Sequence, residues 1–68
     1  MAKSSPYHFV RGPIPGSYSV RRNEVWLGYV TKHVTGWVPA DRDRRDLPIE
    51  PTREAAARAL WLAHEAQS

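Results

Sequence analysis

With 68 residues and no cysteine, the chain has room for one small domain, and it excludes disulfide staples, thiolate zinc sites and cysteine nucleophiles together. Cysteine-free composition suits a reducing cytosol, and no apolar run is long enough for a membrane span or a signal-peptide core, so a cytoplasmic protein is expected. The net charge of +3 is uneven: residues 1–34 carry Lys3, Arg11, Arg21, Arg22 and Lys32 against Glu24 alone, while residues 35–68 carry five arginines against six acids.

Residues 1–16 hold Pro6, Pro13, Pro15, Gly12 and Gly16, which break helix and ladder alike and predict an extended arm. Tyr7-His8-Phe9-Val10 interrupts it with apolar surface that favours docking, on the domain or on a partner. From Ser17 the pattern alternates with period two. Asn23-Glu24 reads as a two-residue turn, since asparagine tolerates positive φ. That turn sets Arg22 against Val25, Val20 against Leu27 and Tyr18 against Tyr29, so the large apolar side chains meet on one face. The other face then carries Ser17, Ser19, Arg21, Trp26, Gly28 and Val30, with Arg21 opposite Trp26, where guanidinium can stack on indole.

A second hairpin follows over Thr31–Ala40. A three-residue loop Val34-Thr35-Gly36 pairs His33 with Trp37 and turns Trp37 toward the core beside Leu27 and Tyr29; a two-residue loop would turn it outward. Pro39 cannot donate to a ladder, so the third strand lies at an edge or ends there. Asp41–Asp46 is a solvated loop; its Arg42, Arg44 and Arg45 either join Arg21, Arg22 and Lys32 in a basic cluster or, the favoured reading, pair with Asp41, Asp43 and Asp46. Leu47-Pro48-Ile49 adds a short fourth strand or pins the chain to the core.

The helix begins after Pro51, with Thr52 as N-cap and Glu54 in the first turn favouring the dipole. Projected at 100° per residue, Ala55, Ala56, Ala59, Leu60, Leu62, Ala63 and Ala66 form one stripe that allows close approach to the sheet. Trp61 projects to the opposite side, between Glu54, Arg58 and Glu65. It is either covered by Tyr7 or Phe9 of the arm or it anchors a protein partner or a second copy.

His8, His33 and His64 lack ligand spacing, so no metal and no cofactor are expected. The serines Ser4, Ser5, Ser17 and Ser19 form no arrangement with a histidine and an acid, and a lone Gly28 in a strand indicates close packing. No catalytic residue and no small-molecule substrate are expected. A basic patch is the footprint of a nucleic-acid binder, and Arg21, Arg22, Trp26 and Lys32 are the candidates for it; Tyr7, Phe9 and Trp61 are the candidates for a protein partner.

Gly28-Tyr29-Val30, Gly36-Trp37-Val38-Pro39-Ala40 and Thr52-Arg53-Glu54-Ala55-Ala56 together resemble the short strand-strand-strand-helix proteins of actinobacteria and their phages. In outline, residues 17–66 are also similar to the arm-type DNA-binding domain of tyrosine integrases, whose three-stranded sheet enters the major groove. The resemblance implies a DNA-facing role for Arg21, Trp26 and Lys32. The expectation is an α+β fold: an arm over residues 1–16, then over 17–68 a three-stranded antiparallel sheet, with a candidate fourth strand, under one C-terminal helix. Its function is that of a non-enzymatic module that binds DNA through the helix-free face, with Arg21 and Arg22 on phosphate and Trp26 on sugar or base. The alternative is a phage-like regulator or homodimer that uses Trp61 and the apolar arm.

Overall fold

The structure is a computed structural model that describes residues 6–67; Lys3, Ser4, Ser5 and the rest of the first five residues of the expected arm, and Ser68, lie outside the described residues. Strands β1 (His8–Arg11), β2 (Ser17–Arg22), β3 (Val25–His33) and β4 (Gly36–Asp41) precede one helix, α1 (Arg53–Gln67). They form a four-stranded antiparallel sheet in sequence order, and α1 packs on β3 and β4. The class is α+β. The additional strand lies within the arm: His8–Arg11 pairs with β2, Phe9 opposite Val20, and joins the sheet as an edge strand. Leu47-Pro48-Ile49 instead runs beside β4, held by a Leu47 N–H to Pro39 carbonyl bond of 2.8 Å and by reciprocal Trp37–Glu50 bonds of 2.7 and 2.8 Å.

The Asn23-Glu24 turn has φ of 50° and 66°, the left-handed pair that a two-residue hairpin turn needs, and it pairs Arg22 with Val25 as expected. Beyond it the expected register fails. Arg21 lies opposite Trp26, but Val20 lies opposite Gly28 and Tyr18 opposite Val30, so Leu27 is an extra residue in β3. This β-bulge shifts the alternation. Leu27 and Val30 are both buried, and Tyr29 goes to the helix-free side. Gly28 accommodates the irregularity at φ 140°, and a Cβ there would run into the Ala40 carbonyl oxygen. Close packing, the expectation for this glycine, is what it provides.

The second loop is also one residue shorter than expected: His33 pairs with Gly36 and Lys32 with Trp37. A two-residue loop alone would have turned Trp37 outward. The bulge and the shorter loop each change parity, so the changes cancel and Trp37 packs against the core after all. On β4 the backbone of Trp37, Pro39 and Asp41 points away from β3, toward residues 45–50. Pro39, which has no N–H, therefore sits where β3 asks nothing of it.

The core comprises Val20, Leu27, Val30, Ala56, Ala57 and Leu60, and burying each of the larger side chains is worth about 2 kcal/mol. Thr52 caps the helix as expected, its Oγ1 accepting from the Ala55 N–H at 3.1 Å. The buried stripe is rotated from its expected position. Ala56, Ala57 and Leu60 are buried, Leu62 is 52% exposed, and Trp61 packs against the core from one side. The sheet edge favours this rotation: beside the aromatic rings of Tyr7 and Phe9, Arg22 lies over both Tyr7 and Trp61 and gives the indole a surface to pack on. Among the described residues no helix is long and apolar enough to cross a membrane.

Candidate functional site

The helix-free face is built in rows across the strands. His8 lies opposite Arg21, and Arg21 opposite Trp26; in the next row Val10, Ser19, Tyr29 and Ala40 align, and in the third Ser17, Thr31 and Val38. The bulge gives this face its second large aromatic. Tyr29 meets Trp26 edge-on, with centroids 5.4 Å apart at 82°, a favoured geometry for the ring quadrupoles. The rest of the floor mixes the small polar side chains of Ser17, Ser19 and Thr31 with Val10, Val38 and Ala40. Thr31 Oγ1 donates to Ser17 Oγ and Ser19 Oγ to the Val10 carbonyl, both at 3.5 Å.

Arg21 is exposed, and among the described residues no ion pair engages it. At the β4 side of the same face Arg44 and Asp46 border a depression whose floor is Tyr29, Thr31 and Ala40. Arg44 has a left-handed φ of 63°. The expected pairing of all three loop arginines with the aspartates holds for one of them: Arg45 approaches Asp41 at 3.7 Å and Asp43 at 3.3 Å. Asp41 also organises the turn, its Oδ1 accepting from the backbone N–H groups of Asp43 at 2.9 Å and Arg45 at 3.0 Å.

Of the four residues expected at a nucleic-acid surface, Arg21 and Trp26 share the helix-free face. Arg22 and Lys32 project from the helix side, because Arg22 has the parity of Val20 in β2 and Lys32 that of Val30 after the bulge. There the cations lie over rings. Arg22 sits 4.2 Å from the Trp61 centroid and 5.6 Å from that of Tyr7. Arg53 sits 4.3 Å from Phe9 and 5.1 Å from Tyr18, while Lys32 lies 5.6 Å from Trp37. Tyr18 and Trp37 touch at 5.9 Å, so the contacts form a seam along the flank of the helix. The three residues considered for a protein partner, Tyr7, Phe9 and Trp61, all belong to it. Each such contact is worth about 1 kcal/mol, offset at Arg22 by a buried Nε with no hydrogen-bond partner.

Sequence reasoning missed Tyr29 and Arg53 as members of these surfaces, and it favoured pairing within the loop for Arg44. The signal for Tyr29 was Gly28, since an isolated glycine in a strand marks bulges as well as close approach. Among the described residues no group of His, Asp and Glu side chains is placed to hold a metal ion. No family model matches the chain, and neither the curated proteins nor the solved structures compared with it give a match.

Proposed function

We propose that the protein is a non-enzymatic DNA-binding module that lays its helix-free sheet face in the major groove. The observation that carries the reading is the opposed Arg21–Trp26 pair, backed by Tyr29, on a face whose other side chains, Ser17, Ser19, Thr31, Ala40, Val10 and Val38 among them, are of small or medium size. Small side chains let the backbone of a sheet approach the base edges. The strands β2 to β4 span about 10 Å between their outer axes, against a groove about 12 Å wide; β1 extends the same sheet to about 14 Å, so in this reading β2 to β4 enter the groove and β1 lies over its phosphate rim. Arg21 and Arg44, one toward each side of that ribbon, serve as phosphate ligands, and Trp26 packs on sugar or base. Arg22 and Lys32 have no part in this contact because they leave from the other face.

Anisotropy titrations of a labelled duplex over a series of salt concentrations test it. Binding should weaken with salt, and Arg21→Glu combined with Arg44→Glu should lower the log–log slope by about 2, one phosphate contact each. Salt-independent binding, or an unchanged slope in the double variant, overturns the reading. The competing reading, a regulator anchored by an exposed Trp61, finds less support: that ring packs on the core and lies under the Arg22 guanidinium.

A further inference from the structure

The depression on the helix-free face has two walls, and backbone hydrogen bonds fix both. One is the loop between β1 and β2, where the Gly12 N–H donates to the Ser17 carbonyl at 2.8 Å and the Ser17 N–H to the Ile14 carbonyl at 3.1 Å. These bonds hold Pro13 and Ile14 at the rim. The other wall follows β4. The Arg44 N–H donates to the Asp41 carbonyl at 2.9 Å, the Asp41 N–H to the Arg45 carbonyl at 3.1 Å, and Asp46 bridges to Ala40 as an antiparallel partner. Residues paired in this way share a face of the sheet, so Asp46 extends the row Ser19, Tyr29, Ala40 on the helix-free side. Arg44, two residues earlier, borders the same space.

The cavity measures about 340 Å³, within the roughly 300–1,000 Å³ of small-ligand pockets. Tyr29 and Asp46 stand two strand spacings apart, about 10 Å, with only the methyl group of Ala40 between them. Ile14, 65% exposed, adds an apolar side. At the rim Arg44 and Asp46 are exposed, and among the described residues neither enters an ion pair, since Arg45 has taken Asp41 and Asp43. The ligand that matches this space is flat, with apolar faces and an edge that sets acceptors beside donors.

We propose that the depression binds a guanine base. Along one edge guanine presents N7 and O6 as acceptors, then N1–H and the N2 amine as donors. The acceptor pair suits the fork of the Arg44 guanidinium, and the donor pair suits the two oxygens of the Asp46 carboxylate. Adenine places an amine where guanine has O6, and neither cytosine nor thymine has two adjacent donor groups, so charge and hydrogen bonding select one base. The ring lies on the floor of Tyr29 and Ala40 with Ile14 against it. The site does not rest on duplex binding: Arg44 meets either a phosphate of a duplex or the base edge, and the two ligands exclude one another.

Equilibrium dialysis of the full chain without duplex, against guanosine, inosine, adenosine and cytidine 5′-monophosphates, tests the proposal. The guanosine nucleotide should saturate one site per chain. The inosine nucleotide, which lacks only the N2 amine, should bind about tenfold more weakly, and inorganic phosphate should not displace either. Arg44→Gly removes the guanidinium and relieves a left-handed φ of 63°, which glycine adopts freely; it should keep the circular dichroism spectrum and lose saturable binding. Asp46→Asn should reverse the preference toward xanthosine 5′-monophosphate by about tenfold, because the new amide N–H meets the O2 that replaces the amine. A purely structural role of Asp46 predicts no such reversal. A thymidine nonamer with one central guanine distinguishes the source: competition with the nucleotide supports a base within a strand, and lack of competition supports the free nucleotide. Equal binding of the four nucleotides, displacement by phosphate alone, or unchanged selectivity in Asp46→Asn overturns the proposal, and each of these leaves the salt dependence of duplex binding to be judged separately.

Discussion

The two faces of the sheet carry similar residue types to different ends. Under the flank of the helix, Arg22 and Arg53 lie over the rings of Tyr7, Phe9, Tyr18 and Trp61, and arginine there acts as a packing residue with its methylene stem against apolar surface. On the other face, Arg21 and Arg44 border Trp26 and Tyr29 with solvent in front of them. A count of charges does not locate a binding surface in such a chain. What distinguishes the two faces is which cations the protein's own aromatic rings have already engaged.

The contrast implies that substitutions on the helix side should act on stability and those on the bare face on binding. The largest effect is expected at the bulge. Gly28→Ala adds a Cβ where the Ala40 carbonyl oxygen lies, at a φ of 140° that other residues avoid, and should cost about 4 kcal/mol from overpacking and backbone strain together. In a domain this small that is most of the stability, and urea titration should find the variant largely unfolded without denaturant. Leu60→Ala comes next: the side chain is 1% exposed, and its loss should lower the unfolding free energy by about 3 kcal/mol. Thr52→Ala removes the cap on Ala55 and should cost about 1 kcal/mol, seen as a lower thermal midpoint. Arg21→Ala should change stability by less than about 0.5 kcal/mol while weakening duplex binding. A large loss of stability there would erase the distinction between the faces.

Local signals were legible where one residue decides the geometry. Asn23 announced a left-handed turn, Thr52 a cap, and Pro39 a strand at an edge of the sheet. Parity over distance was not legible. Leu27 looks like any apolar residue of an alternating strand, and nothing in its type says that it stands unopposed; only the approach of Ala40 to Gly28 shows why the ladder slips there. The position of Trp37 on the core side was anticipated through a loop length and a register that were both off by one, so a correct placement rested on two compensating errors. The rotation of the helix was hidden for a related reason. With so many alanines, α1 has a weak preference for any one stripe, and the aromatic flank chooses the orientation from outside the helix.

The segment that follows β4 has a consequence for solubility. A sheet with two open edges is a template that can add neighbours without limit, the geometry of a fibre. By laying residues 45–50 along β4, with a proline in the strand beneath them, the chain removes one of its two points of growth. Removing the backbone bonds of Leu47 and Glu50 to that edge would expose its N–H and C=O groups to pairing with another chain, and with them a route to aggregation.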